Sequence, residues 1–559
     1  MSSHGSNSPA ASGSPARRAG RWVSRQRRRS LLGVALAVLL TDASLAGTGA
    51  IPGGHGHRSR IETAAPATTS TTGATTTTTT TSVVPTTAAP ATIVAGRPSG
   101  GPSTAPSPDP ASTAAAAGSC PAGACVTLDA TTAIGPADHA AEGLNLLPSS
   151  YTDTGQAQAL GFGMYRSTVP LSPLGTYDWT SWDAAVGAGM KTTLILSDLW
   201  AEQFPGNVPP TPWSDWTRYT DWVRATVQNV LASGQRVDYW DVYNEPGWFN
   251  YYSHSDFESE TPQDLLQQFL VTYQTIKSVD PSAAIIGPSL GAMYFSPLPP
   301  NQTTHEPDMT TFLDFAAAHS LQLAAIAWHE NGMPPYWIYN DALKVEALIR
   351  SLPQLGNPPM FLDEYGSSRT QPIPGWDVGF LSMITNVGFV SAVRSCWDSC
   401  TLATLDGLLM DGGRAPTSEY YVRATYAHMS GTMIKATTTD QFVPALGSLS
   451  SDGRQLVALI GRSQGCAVES WCQTNWWPGV SPVGPTPVQV NVVLPWTTRS
   501  INVKLSYEPF QPGAPSSGPL TATPAGPTLQ PDGPGREILS FTIPSFADGS
   551  AYNLYVTEG

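Results

Sequence analysis

No stretch of this chain is apolar for long enough to cross a bilayer comfortably. The N-terminal run Leu31 to Leu40 has ten residues, where a spanning helix needs about 20. Basic residues are also scarce, 28 Lys and Arg against 42 Asp and Glu. Nine Arg stand against the single acid Asp42 within residues 1–60, so residues 61–559 carry 19 basic and 41 acidic side chains. That balance argues against a nucleic acid or other polyphosphate partner, whose binding relies on Lys and Arg, and a neutral polymer such as a glycan fits better. Cysteine is sparse too. The six fall into close pairs, Cys120 with Cys125, Cys396 with Cys400, and Cys466 with Cys472. Neither a C-x-x-C spacing nor a flanking His pattern accompanies them, which argues against zinc and for three small-loop disulfides in an oxidising compartment.

The N-terminus fits export. Arg27-Arg28-Arg29 precede the apolar run, and Ala43, Ala46 and Ala50 follow it, the order of a signal segment over residues 1–50. Arg28-Arg29-Ser30-Leu31-Leu32 resembles a twin-arginine motif. An uncleaved signal anchor is the alternative, and it would be the protein's one membrane contact. Residues 51–118 are biased to Thr, Ala, Pro, Ser and Gly, with Thr75 to Thr81 unbroken. A segment without a periodic apolar face is expected to stay a disordered linker.

Residues 119–432 read as a (β/α)8 barrel. Apolar runs at 143–147, 163–167, 192–196, 237–243, 283–287, 323–328, 360–363 and 391–396 predict eight strands, with helices such as 216–232, 262–279, 309–319 and 340–352 between them,. Residues 433–559 have strand signals only, at 455–460, 488–494, 501–506, 538–543 and 552–556, bounded by Gly, Pro and Ser clusters. They predict a C-terminal β-sandwich.

Two glutamates stand where apolar runs end: Glu245 in Tyr243-Asn244-Glu245-Pro246, after the fourth run, and Glu364 in Leu362-Asp363-Glu364-Tyr365, after the seventh. The C-terminal ends of barrel strands form the active face. Two carboxylates there are what cleavage of a glycosidic bond needs, one as acid and one as nucleophile or base.

With this pair the chain resembles the clan A retaining glycosidases, most of all the β-xylosidase and α-L-iduronidase family, glycoside hydrolase family 39. Asn244-Glu245-Pro246 matches the clan's strand-four signature, and Glu364 matches its strand-seven nucleophile. The resemblance implies that Glu245 is the acid/base and Glu364 the nucleophile, their pKa values pushed apart. It further implies that Arg166 keeps the nucleophile ionised, that Asn244 bonds the sugar hydroxyl beside the anomeric carbon, and that Trp397 forms the floor of the sugar site. His329 resembles the family's strand-six His, as either a functional or a structural residue. Two positions later, where the family often has Tyr, this chain has Asn331. Glu330 is a third carboxylate near the same rim. Trp200, Trp248, Phe249, Tyr251, Tyr252 and Trp376 are candidates for further subsites, and Trp471, Trp476 and Trp477 for a glycan-binding or structural role in the sandwich.

The expectation is an exported O-glycosidase, secreted or held at the cell surface, cleaving an oligo- or polysaccharide without a metal or organic cofactor. A catalytically silent glycan-binding wall protein is the alternative.

Overall fold

The structure, a computed structural model, describes residues 123–145, 159–168, 178–196, 200, 211–246, 261–291, 306–331, 334–366, 373–395, 408–410, 415–463, 484–497, 500–511 and 514–559. These belong to one compact unit, Pro106–Gly559. The export signal, the linker, Trp397 and every cysteine but Cys125 lie outside the described residues. Cys125 is disulfide-bonded. Among the described residues no helix is long and apolar enough to cross a membrane.

The first described strand, β1 (Ala124–Pro136), is followed by eight parallel strands that close a barrel: β2 (Gly143–Leu144), β3 (Met164–Ser167), β4 (Lys191–Ile195), β5 (Tyr239–Asp241), β6 (Ile285–Leu290), β7 (Ala325–Asn331), β8 (Met360–Gly366) and β9 (Ser391–Arg394). Closure is by β9 against β2, with Val393 opposite Gly143 and Arg394 opposite Leu144. Each of the eight expected runs is a barrel strand. The fourth, sixth and seventh barrel strands are β5, β7 and β8.

Helices follow the strands on the outside: α1 (Thr180–Gly187), α2 (Trp216–Ala232), α3 (Pro262–Val279), α4 (Met309–Ala318), α5 (Pro335–Ser351), α6 (Pro374–Val387) and α7 (Ser418–Ala427). Their starts are written locally. Asp215, Thr261, Asp308 and Thr417 each accept a backbone N–H of the first turn, satisfying donors that a helix N-terminus leaves open. α5 begins five residues before the expected Asn340, because Pro335 sits in the first turn, where a missing N–H costs nothing,.

Strand β1 does not belong to the barrel, although residues 119–432 were expected to form it. It pairs with β12 (Thr432–Thr438) and β15 (Thr486–Leu494) in a ten-stranded sheet. The other members are β13 (Ala445–Leu449), β14 (Gln455–Gly461), β16 (Ile501–Glu508), β17 (Leu520–Ala522), β18 (Ala525–Pro531), β19 (Glu537–Phe546) and β20 (Ala551–Glu558), and the order is β17-β16-β20-β14-β13-β12-β1-β15-β19-β18. A two-stranded ribbon, β10 (Leu409–Met410) with β11 (Ala415–Pro416), precedes α7. Both halves of the large sheet feed one core, Leu505, Leu554 and Val556 from one side and Val490, Val492 and Phe541 from the other. A single sheet curled on itself thus fills the place of the expected sandwich.

The central strands of that sheet are apolar on both faces. In β14, Leu456, Ala458 and Ile460 enter the sheet's own core, while Val457 and Leu459 join the barrel's. Helix α6 packs so close that a Cβ on Gly375 would stand 2.1 Å from the Arg462 carbonyl oxygen, and one on Gly461 would stand 2.5 Å from that of Gly375. Backbone contact at that range admits glycine only.

Candidate active site

The barrel interior is built in layers by strand alternation. Met164, Ile286, Ala325, Ala327, Phe361 and Val393 form an apolar plug. Two positions further along the same strands, the inward side chains are polar: Arg166 after Met164, His329 after Ala327, Ser395 after Val393, and Asp241 two after Tyr239. Period two puts them on the same face as the plug. The layer is fully enclosed, with Arg166, Asp241 and Asp363 at 0% exposure and His329 and Glu364 at 1–2%.

Alternation alone would send Asp363 and Glu364 to opposite faces. The β7–β8 ladder slips at this point, pairing Trp328 with Leu362 but His329 with Glu364, so that Asp363 is an extra, bulged residue. A bulge re-aims side chains, and both carboxylates face Arg166, at 3.5 and 2.8 Å. Glu364 therefore lies inside its strand rather than at its end. Glu245 lies past the end of β5 in a left-handed conformation, φ 52°, which costs a non-glycine residue on the order of 1 kcal/mol. Its N–H donates to the Ser289 carbonyl at 3.1 Å, and Ser289 is itself left-handed with its hydroxyl on Asp241 Oδ1 at 2.6 Å. Gly291 packs against the back of the Glu245 side chain.

Arg166 is the hub. It donates through Nε to Asp241 at 2.9 Å, through one terminal nitrogen to Glu364 Oε1 at 2.8 Å, and through the other to Asn244 Oδ1 at 3.0 Å. A substrate contact of Asn244 accordingly falls to its Nδ2. Glu364 Oε2 accepts from the Ser395 hydroxyl at 3.0 Å and from Asn331 Nδ2 at 2.9 Å. Asn331 Nδ2 also donates to Glu245 Oε1 at 3.0 Å, and His329 Nδ1 lies 2.8 Å from the same oxygen.

Burial opposes charge on all these groups, and their neighbours decide which of them keep it. Burial would discharge His329, but Glu364 and Asp363 hold its imidazole well above its ordinary pKa, so it is a cation whose Nδ1 donates to Glu245. Burial outweighs Arg166 at Asp241 and pushes that carboxyl up to about 7. At Asp363 the cations His329 and Arg166 win, and its pKa is lowered. The two buried aspartates are thus not equivalent. Glu245, His329 and Glu364 each bring one donor atom within 4.8 Å of the others, a spacing that a cation could also use. The proton on His329 and the charge of Arg166 oppose such a guest.

Five of the six expected site residues, Glu245, Glu364, Asn244, Arg166 and His329, come together here; Trp397 lies outside the described residues. Glu330 does not join them. As the outward residue between His329 and Asn331 it accepts from Trp328 Nε1 at 3.0 Å, and burial followed by neighbouring Asp341 raises it to about 8. Trp200 and Trp376 are buried in the core beside the barrel, 1% and 2% exposed. The other proposed aromatics lie outside the described residues. Asp241, Ser289, Gly291 and Ser395 join the site beyond the expected residues, and Asn331, notable in the sequence only for replacing a Tyr, lies between the two glutamates. Counting by two from the plug would have found Asp241 and Ser395; nothing local marks Ser289 or Gly291.

No protein-family model matches the chain, and no curated protein does. Solved structures do. N2152 from Neocallimastix frontalis superposes with a TM-score of 0.60 at 18% identity, over 78% of this chain and all of that one. A glucosidase from Croceicoccus marinus and CelM2, a bifunctional glucanase-xylanase from a metagenome library, each reach 0.53, at 14% and 12% identity, over 78% of this chain and 99% of theirs. The chain shares their fold. At such identities the likeness extends to the fold and no further, and the chemistry rests on the site itself.

Proposed function

We propose that the protein is an exported, retaining glycoside hydrolase of clan A type, with Glu364 as nucleophile and Glu245 as acid/base. The observation that carries this reading is the pair itself: oxygens of the two carboxylates lie within 4.8 Å and share one amide donor. Retaining enzymes hold their carboxyls about 5–5.5 Å apart, whereas inverting enzymes need about 6.5–9.5 Å to admit a water.

The bonds around the pair divide the work. Oε1 of Glu245 already accepts from His329 and Asn331, so its transferable proton belongs on Oε2. That proton passes to the leaving oxygen as the bond from C1 breaks, while a Glu364 oxygen bonds to C1. Water then replaces Glu364 at C1 and gives a proton to Glu245. Arg166 keeps Glu364 ionised for the first step, and Asn244 and Trp397 hold the sugar. A catalytically silent glycan-binding protein would gain nothing from two acids set against each other above a buried ion layer, since packing like charges together is costly. The N-terminal signal and paired cysteines support export to an oxidising location, secreted or at the cell surface.

The test is proton NMR of the first-formed anomer on a panel of neutral glycans, glucans and xylans included, because solved neighbours act on them. Retention is expected, and inversion refutes the roles. Glu364→Ala should be inert on every substrate. Glu245→Ala should keep activity on activated aryl glycosides and yield glycosyl azide with azide. The opposite split would exchange the roles.

A further inference from the structure

We infer that Asn331 is a positioning residue that serves both half-reactions by holding nucleophile and acid/base on one amide. This rests on the retaining reading above.

Its Nδ2 lies 3.0 Å from Glu245 Oε1 and 2.9 Å from Glu364 Oε2. Carboxylates only accept, and an amide nitrogen carries two protons, one for each. Chemistry therefore sets the orientation, because turning the amide over would put Oδ1 against two acceptors. Oδ1 meanwhile is buried with no partner among the described residues. An orphaned acceptor destabilises a fold by about 1–3 kcal/mol, so stability does not account for an Asn here. The pair of donors does.

A Tyr hydroxyl at the family's corresponding place has one proton to give, whereas Asn331 has two. The bridge fixes the spacing of the two carboxyls in both half-reactions. By occupying Oε1 of Glu245 together with His329, it also leaves Oε2 for the proton. When Glu364 is esterified its charge is gone and its oxygens accept weakly. Asn331 then keeps its bond to Glu245, which must at that point be an anion ready to take a proton from water.

The variants are Asn331→Ala and the isosteric Asn331→Asp, made in the full chain. N–H donors favour the ionised form of a carboxyl, so removing one raises its pKa. Since one amide serves both groups, both limbs of the kcat/KM bell move to higher pH. Asn331→Asp, which adds a negative charge, moves them further. Asn331→Ala should lower kcat by on the order of 100-fold with KM little changed, for activated and unactivated leaving groups alike. Carboxyl-13C glutamate NMR titration of Glu245 and Glu364 reads the same shifts without turnover, and so tests the bridge even if the glycosidase reading fails. Titrations of both carboxyls that are the same in Asn331→Asp as in the wild type, or movement of one alone, would overturn the inference, as would wild-type kcat in Asn331→Ala.

Discussion

Gly291→Ala should disable the acid/base by direct contact with its side chain. A Cβ at Gly291 would stand 2.9 Å from Cβ and Cγ of Glu245 and 3.0 Å from its carboxyl carbon. Ordinary carbon contacts are about 3.5–4.0 Å, so something must yield by about 0.5–1 Å. The Gly291 backbone is not in the left-handed region, which means that alanine itself is unstrained there. Its N–H is held by Glu306 Oε1 at 3.1 Å, a bond that the substitution keeps. Glu245 is left to move, which disturbs its bonds to His329 and Asn331. A displacement approaching 1 Å costs on the order of 100-fold, or about 2.7 kcal/mol of transition-state stabilisation. The assay is kcat/KM across aryl glycosides of graded leaving-group pKa, with melting temperature measured alongside. Poor leaving groups should lose roughly 30–100-fold and activated ones only a few-fold in the first step, while the melting temperature stays close to that of the wild type. Equal loss on all leaving groups, or none on any, would refute the placement of Glu245 by this contact.

Two further outcomes follow from the buried carboxyls. Glu330→Gln should keep kcat/KM within about three-fold, because Glu330 is already protonated near neutral pH at a pKa of about 8 and faces away from the pair; a loss above about 100-fold would restore it as a catalytic candidate. Glu508, on the barrel-facing side of β16, takes one bond from Asn553 Nδ2 at 3.0 Å and is pushed by burial from 4.5 to about 8. Its folded pKa is raised, so the folded state binds the proton more tightly, and stability is lost as pH climbs from 4.5 to about 8,. The ceiling for that loss is about 5 kcal/mol, and on the order of 2 is expected once the site's polarisability is counted. Glu508→Gln should melt higher than wild type at pH 8.5 and nearly with it at pH 5, and a gap independent of pH would contradict this.

Local pattern carried most of the architecture. All eight barrel strands, and helices α2 to α5 to within a few residues, follow from apolar runs and capping residues, because burial on one face dictates periodicity. Asn244-Glu245-Pro246 was legible because a charged residue after a buried strand emerges at its end, and Glu364 because a carboxylate in an otherwise apolar run needs a partner, although it proves to lie within β8. Partnership at a distance was not legible. β1 reads like the start of the barrel, yet it pairs with Val488–Val493, a choice made by sheet order rather than by its own residues. The bulge at Asp363, which turns Glu364 inward beside Arg166, depends on the register of β7. Glu330 and Asn331 are neighbours in sequence and both polar, and only the alternation of a closed barrel sends one out to Trp328 and the other in between the two acids. The sequence by itself determined which side chains could ionise or donate. The tertiary structure decided which of them share a proton, through burial that strips water away and neighbours that replace it.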